Sequence, residues 1–144
     1  MNVYAESSAI LGWLLDEARA PAVRESLSAA ELVLASCLTL IECDRALIRG
    51  MSTNVLPQPV AAERRAVLAG TAEHWVIFDL DTETVARARQ PFPAEPIRTL
   101  DAIHLATATL ARALVPDLAL LSLDGRVRRS AEHMGFPLLP RDEA

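Results

Sequence analysis

Short apolar segments that alternate with helical ones constrain the fold of this chain more than any other feature of its sequence. The candidate strands are, in order, NVYA, ELVLAS, WVIFDL, LALLSL and a short FPLL. Strands that are apolar along most of their length, with helices between them, are typical of parallel sheets covered on both faces. We therefore predict an α/β fold, a three-layer α/β/α sandwich around a central parallel sheet.

Residues that start or stop helices delimit the helical segments. Gly50 is predicted to end the helix CLTLIECDRALIRG, and Thr99 to cap TLDAIHLATATLARAL. Asp124 is the predicted N-cap of DGRVRRSAEHMG, and Gly135 its stop. Further helices are predicted in SSAILGWLLDE, PAVRESLSAA, VAAERRAVLAGTAEH and TETVARARQ. Because no linker, repeat or low-complexity stretch interrupts this alternation, we expect residues 1–144 to form one domain.

Composition excludes several classes of protein. An apolar content of 51% suffices for a core, yet no apolar run approaches the roughly 18 residues that span a bilayer. The N-terminus lacks the basic start of a signal peptide, and Cys37 and Cys43 form neither a disulfide framework nor a zinc motif. We therefore expect a cytoplasmic protein. All 14 basic residues are Arg, which excludes mechanisms that need a Lys, and the net charge of −5 does not favour nucleic acid globally.

Four acidic residues occupy positions where α/β proteins build their sites. Glu6 follows the first strand and Asp124 follows LALLSL, while Asp101 lies in the first turn of a helix and Glu42 within the helix after ELVLAS. Ligands of parallel sheets bind at the carboxyl ends of the strands, near a topological switch point. Carboxylates that converge there would raise each other's pKa, and a divalent cation relieves the repulsion. Oxygen ligands without a His or Cys cluster suit Mg²⁺ or Mn²⁺.

Each acid also has a structural interpretation. Asp124 is an ordinary N-cap, Asp101 complements the helix dipole, and Glu42 pairs with Arg45 along its helix. Glu6 is the hardest to explain in this way, because its neighbours on both sides are predicted to be buried, and a buried carboxylate is costly without a partner.

The segments VYAESSAIL, LTLIECDRAL, TLDAIHLATA and LLSLDGRVRRSAEHMGFPL, in that order, resemble the acidic motifs of PIN-domain ribonucleases, most closely the VapC-like toxins of bacterial type II toxin–antitoxin pairs. The resemblance implies metal-dependent endonucleolytic cleavage of RNA, a homodimer and a cognate antitoxin. By position, it makes the metal-binding and catalytic carboxylates Glu6, Glu42, Asp101 and Asp124. Glu6 stands where many relatives carry Asp.

The resemblance also suggests roles around the metal. Glu6 and Asp101 are expected to be the core ligands, with Asp124 completing the shell and Glu42 orienting a metal-bound water. His104 is expected to be packed or hydrogen-bonded rather than catalytic. The candidate RNA contacts are Ser8, Arg45, Arg49, Arg126, Arg128 and Arg129. The alternative for the arginines is a solvated surface on which they form ion pairs.

Two other functions compete with this one. Asp79 and Asp81 follow a strand in VIFDLDTET, as in the nucleophile motif of haloacid-dehalogenase-type phosphatases, although Glu83 replaces the expected Thr or Val. The structural alternative is a short helix with an acidic first turn. A catalytically silent PIN-like domain that only binds partners is the second possibility, and Glu6 in place of Asp is its sole support.

Overall fold

The computed structural model of the protein describes residues 1–142. In this part of the chain the strands are β1 (Asn2–Ala5), β2 (Val33–Ser36), β3 (Val76–Phe78), β4 (Leu118–Leu121) and β5 (Leu138–Leu139). The helices are α1 (Ser7–Leu14), α2 (Ala20–Ala29), α3 (Cys37–Ser52), α4 (Gln58–Ala72), α5 (Thr82–Ala88), α6 (Thr99–Leu114) and α7 (Gly125–His133).

The strands form one parallel sheet in the order β3-β2-β1-β4-β5. The chain builds outward from β1 through β2 to β3, then returns to place β4 on the other side of β1. The point where the strand order reverses, between β1 and β4, is the topological switch point of the sheet. The predicted three-layer α/β/α sandwich is confirmed by this sheet, by the helices on its faces and by the folds of similar structures described below.

Alternate residues of β1 enter different cores. Tyr4 packs in a cluster with Leu105 of α6 and Leu120 of β4, whereas Ala5 belongs to a cluster that contains Ile10 of α1 and Leu47 of α3. Successive side chains of a strand point to opposite faces of the sheet, so β1 separates two helical layers. Burial on both faces explains why β1 is apolar from Val3 to Ala5.

Two helix boundaries differ from the predictions. The helix α3 continues past Gly50 to Ser52, and a Cβ atom on Gly50 would lie only 2.8 Å from Cδ1 of Leu56. Gly50 therefore permits a close approach within the helix instead of ending it. Thr99 is the first residue of α6, not its cap; Arg98 occupies the N-cap position without a capping hydrogen bond from its side chain.

The predicted limits of α7 are confirmed. Asp124 Oδ1 accepts hydrogen bonds from the backbone N–H groups of Arg126 and Val127, at 2.9 and 3.1 Å. Gly135 follows the helix with a φ of +84°, a left-handed conformation that favours glycine. Within residues 1–142, none of the helices combines the length and apolar character needed to cross a bilayer.

Candidate active site at the carboxyl edge of the sheet

The switch point brings Glu6 and Asp124 to the same edge of the sheet. Glu6 follows β1 directly, its N–H donates to Leu121 O of β4 at 3.0 Å, and it forms the N-cap of α1. Asp124 follows β4 by three residues and caps α7. Because β1 and β4 are neighbours in the sheet, both carboxylates lie where the sequence predicts them, at adjacent strand ends.

Two serine hydroxyls connect Glu6 to Asp124. The hydroxyls of Ser8 and Ser122 both donate to Glu6 Oε2, the latter at 2.7 Å, and the Ser8 N–H donates to the same oxygen at 3.1 Å. The Asp124 N–H in turn points to the Ser8 and Ser122 oxygens, at 3.0 and 3.1 Å. Ser122 was not among the residues that the sequence predicts for the site; its only signal is a polar side chain inside an apolar strand segment.

Glu6 is a buried acid whose hydrogen-bond donors are all neutral. Its relative exposure is 4%, and it forms no ion pair within the described chain. Burial raises the pKa of its carboxyl group, and the charge interaction with His104 and the hydrogen bonds from Ser8 and Ser122 offset this only in part. A carboxylate in this position gains strongly from a cation placed beside it.

Arg98, which the sequence does not predict for the site, joins Asp101 and Asp124. Its Nε donates to Asp101 Oδ2 at 2.7 Å, and its Nη2 to Asp124 Oδ2 at 3.0 Å. Burial raises the pKa of Asp124, but hydrogen bonds from the N–H groups of Val127 and Arg126 and from Arg98 outweigh it, so the pKa is lowered. The available signal was the spacing of Arg98 and Asp101, three residues apart at a helix start.

Glu42 is oriented by a buried hydrogen-bond network. His104 Nε2 lies 2.6 Å from Glu42 Oε1 and donates to it, and the Ser7 hydroxyl donates to the same oxygen at 2.8 Å. The Tyr4 hydroxyl is 3.0 Å from His104 Nδ1, and both of these side chains are buried. Burial raises the pKa of Glu42, but the bonds from His104 and Ser7 outweigh it, and the pKa is lowered. The predicted hydrogen-bonded role of His104 is confirmed.

Three of the four acids are linked through other side chains, and the four do not form one cluster in this arrangement. Within residues 1–142, no three His, Cys, Asp or Glu side chains lie close enough together to hold a metal ion in this arrangement. Arg98 stands between Asp101 and Asp124, and His104 draws Glu42 toward the core. The donor chemistry nevertheless suits a hard divalent cation, because four carboxylates and two hydroxyls lie along one edge and the buried Glu6 lacks a cationic hydrogen-bond partner.

The candidate RNA contacts separate into buried and exposed residues. Arg128 is mostly buried: its Nη1 donates to Ser122 O and Leu139 O, at 2.9 and 3.0 Å, and its Nη2 to Asp142 at 3.1 Å, with 15% of the side chain exposed. These bonds join the ends of β4 and β5, and a contact of Arg128 with RNA stays a prediction.

Ser8 is hydrogen-bonded within the site. Its one hydroxyl proton goes to Glu6, and its oxygen accepts from the Leu123 and Asp124 N–H groups, at 2.9 and 3.0 Å. The hydrogen-bonding capacity of the hydroxyl is therefore filled in this arrangement, and a contact of Ser8 with a substrate stays a prediction. Arg45, which forms no pair with Glu42 in the described chain, is exposed on α3.

A groove lies beside the acids, between α7 and the segment 93–98. It has a volume of about 610 Å³, and its basic side chains are Arg98, Arg126, Arg129 and His133. The last three recur at helical spacing and share one side of α7. Glu95 is the acid on its wall, and its Oε2 accepts from the Phe92 N–H at 3.3 Å. This local concentration of positive charge contrasts with the net charge of −5.

Asp79 and Asp81 lie elsewhere, after the edge strand β3. Asp81 Oδ1 accepts from the backbone and hydroxyl groups of Thr84, both at 2.8 Å, and thereby caps α5. Hydrogen bonds from Thr84 lower the pKa of this carboxyl group. The structural interpretation of VIFDLDTET, a short helix with an acidic first turn, is confirmed.

The chain is similar in sequence to proteins of a known family. A family model described as PIN domain matches residues 3–142. Ribonuclease VapC35 of Mycobacterium tuberculosis (strain ATCC 25618 / H37Rv) is 31% identical over 144 residues, which cover 99% of this chain and 98% of the relative. Ribonuclease VapC46 of the same strain is 33% identical over 139 residues, 95% of each chain.

Two solved structures share the fold. A toxin–antitoxin complex from Klebsiella pneumoniae has a TM-score of 0.64 at 16% identity and covers 99% of each chain. FitAB bound to an IR36 DNA fragment has a TM-score of 0.64 at 17% identity, over 95% of this chain and 93% of that one. Since the family match spans nearly the whole chain and the VapC relatives align over its full length, the chain belongs to the PIN-domain family, in its VapC-like branch.

Proposed function

We propose that the protein is a metal-dependent endoribonuclease and the toxin of a type II toxin–antitoxin pair. One observation carries the proposal: Glu6 and Asp124 meet at the switch point of the sheet, joined through Ser8 and Ser122, with Asp101 linked to Asp124 by Arg98. The VapC relatives at 31–33% identity are named ribonucleases, which supports the reaction class.

The residues that would hold the metal are Glu6, Asp101 and Asp124, with Glu42 near them. A bound Mg²⁺ or Mn²⁺ would lower the pKa of a water that it binds and would offset negative charge at the reacting phosphate. Glu6 Oε2 is fixed by Ser8 and Ser122, and among the described residues Oε1 has no hydrogen-bond donor, so it is the oxygen left for a cation. Three hydrogen bonds on Oε2 hold the longer Glu side chain in one place, which compensates for the extra methylene relative to Asp.

Glu42 contributes a second, separately oriented carboxylate. His104 and Ser7 both donate to its Oε1 and lower its pKa, so Glu42 is an anion at neutral pH and would orient a metal-bound water by accepting a hydrogen bond from it. His104 is buried and acts through Glu42, as a positioning residue.

The groove beside α7 is the proposed RNA site. Phosphates would be held by Arg126, Arg129 and His133, with Arg45 as a further contact from α3. Only three Phe, two Trp and one Tyr occur in the chain, so base stacking contributes little and backbone contacts dominate.

A cognate antitoxin and a second copy of the chain are the proposed protein partners. Apolar side chains next to two of the acids are exposed: Ile41, beside Glu42, at 53%, and Leu100, beside Asp101, at 47%. A partner that covers them would lie close to both carboxylates. One of the structural neighbours is a toxin–antitoxin complex, in agreement with such a partner.

The test is single-turnover cleavage of end-labelled RNA by protein freed of antitoxin, with Mn²⁺, with Mg²⁺ and with EDTA. We expect cleavage that needs the metal. Asp101→Asn should lower the cleavage rate more than about 100-fold, which is more than the loss of a residue outside the metal's ligands causes. Asp79→Asn should cleave at the parental rate. Asp79→Asn is the matched control, since it makes the same change at an exposed acid that follows β3, outside the site.

Two results would contradict the proposal. Native protein that cleaves no RNA and does not arrest growth on induction would favour the catalytically silent PIN-like domain. Hydrolysis of a phosphate monoester that Asp79→Asn abolishes would favour the phosphatase.

A further inference from the structure

Arg98 lies at the boundary between the carboxylates and the groove. Its Nε and Nη2 contact Asp101 and Asp124, and the same side chain lines the groove beside Arg126 and Arg129. It is therefore the one basic residue of the described groove that forms ion pairs with the edge acids.

The oxygen that Arg98 holds on Asp124 is the one a metal would need. Asp124 Oδ1 already accepts from the Arg126 and Val127 N–H groups at the start of α7. Its Oδ2 remains, and this atom is 3.0 Å from Arg98 Nη2. A guanidinium and a divalent cation repel each other at such distances, so each weakens the other's binding to Asp124 Oδ2.

Arg98 is free to leave this position. Its side chain is 55% exposed, and its two carboxylate contacts are its only side-chain hydrogen bonds within residues 1–142. The Asp124 side chain is also partly exposed, at 27%, so solvent weakens its ion pair with Arg98, whereas the side chain of Asp101 is 12% exposed. Arg128 differs: it is mostly buried and fixed by two backbone carbonyls as well as an acid.

We propose that Arg98 exchanges between two anions, the Asp101–Asp124 carboxylate pair and a phosphate of RNA in the groove, and so makes RNA and the divalent cation bind cooperatively. The inference rests on the proposed function. An RNA phosphate beside Arg126 and Arg129 attracts the Arg98 guanidinium away from the carboxylates, which frees Asp124 Oδ2 for the metal. By linkage, metal on the carboxylates releases Arg98 to the phosphate and tightens RNA binding by the same factor.

The first measurement is Mn²⁺ affinity without RNA, by calorimetry. Arg98→Ala should bind Mn²⁺ about tenfold more tightly than the parent, a coupling of ordinary size. Arg126→Ala is the control for general electrostatics, because it removes the same charge next to Asp124 but breaks no contact with a carboxylate; its affinity should stay within about twofold, since solvent and salt screen exposed charges. Arg98→Lys keeps the charge but loses the fork that spans both acids, and should fall between the parent and Arg98→Ala.

The second measurement is the affinity for a phosphorothioate RNA of mixed sequence, which resists hydrolysis, followed by fluorescence anisotropy with and without Mg²⁺. In the parent, Mg²⁺ should tighten RNA binding; in Arg98→Ala this enhancement should disappear, whereas in Arg24→Ala, an exposed arginine on α2, it should persist.

Three results would overturn the exchange while leaving the nuclease proposal intact. The first is equal Mn²⁺ affinity in the parent and Arg98→Ala, and the second is an equal gain in Mn²⁺ affinity in Arg98→Ala and Arg126→Ala. The third is Mg²⁺-enhanced RNA binding that survives in Arg98→Ala. If neither the parent nor Arg98→Ala binds Mn²⁺, the metal centre of the proposed function falls, and the exchange falls with it.

Discussion

His104 Nε2 and Glu42 Oε1 lie 2.6 Å apart and join α6 to α3 beside the end of β1. The hydroxyls of Tyr4 and Ser7 complete this network, at 3.0 Å from the two ring nitrogens of His104. His104 thus contacts the buried Tyr4 on one side and a candidate catalytic carboxylate on the other. We therefore expect substitutions at His104 to change both stability and activity.

We predict that His104→Leu destabilises the protein by about 1–3 kcal/mol, because it leaves the buried Tyr4 hydroxyl without this partner and removes a donor from Glu42. The free energy of unfolding from urea denaturation measures this. The matched control is His133→Leu on the exposed side of α7, expected within about 0.5 kcal/mol of the parent. A parental stability for His104→Leu would contradict the role given to the network.

Glu6 and Glu42 should respond to pH with opposite signs. Burial raises the pKa of Glu6 above its ordinary value of 4.5, so the folded state holds that proton more tightly, and stability is lost as the pH rises through the raised pKa. Glu6→Gln should therefore be more stable than the parent at pH 7 in EDTA, with a smaller difference near pH 4.

Glu42 is the internal comparison. Its hydrogen bonds from His104 and Ser7 lower its pKa, so its contribution to stability is present above 4.5 and is lost as the pH falls through the lowered value. Glu42→Gln should be less stable than the parent at pH 7, and the difference should vanish in acid. Denaturant midpoints of Glu6→Gln, Glu42→Gln and the parent from pH 3 to pH 8 check both predictions. If the stability difference from the parent changes with pH in the same direction for both variants, the predictions are contradicted.

Arg128 and Arg129 are adjacent in sequence and should behave oppositely. Arg128→Ala removes hydrogen bonds to the carbonyls of Ser122 and Leu139, so we expect a loss of about 1–3 kcal/mol in stability with little change in RNA affinity per folded molecule. Arg129→Ala should leave stability within about 0.5 kcal/mol. It should weaken RNA binding and reduce the salt slope of log K by about 1. Urea denaturation and anisotropy at several salt concentrations separate the two; exchanged outcomes would place the RNA on another surface.

The sequence predicts the location of the site better than its internal contacts. Apolar strand segments fix where β1 and β4 end, and the ends of neighbouring parallel strands share an edge, so Glu6 and Asp124 could be placed without coordinates. The sequence predicts that a switch point exists, as in other parallel sheets, but only the observed strand order shows that it lies between β1 and β4.

The contacts that could not be predicted depend on how far and in which direction long side chains extend. Arg98 reaches an acid 26 positions away in the chain, which no local spacing reveals. Arg128 and Arg129 look equivalent in sequence, and only the packing of α7 against β5 decides which is buried. Gly50 resembles a helix stop, yet the helix continues past it and Leu56 lies close against it.

The most direct test of the candidate site is the single-turnover rate of RNA cleavage by Glu6→Asp and Glu6→Gln in saturating Mn²⁺. Glu6→Gln should fold, since it is expected to be more stable than the parent at neutral pH. A loss of cleavage rate in this variant therefore reflects the chemistry of the site and not unfolding. We predict that Glu6→Asp, which keeps the carboxylate, cleaves RNA at a rate near that of the parent, and that Glu6→Gln loses more than about 100-fold. Cleavage by Glu6→Gln at the parental rate would contradict the assignment of Glu6 as a metal ligand.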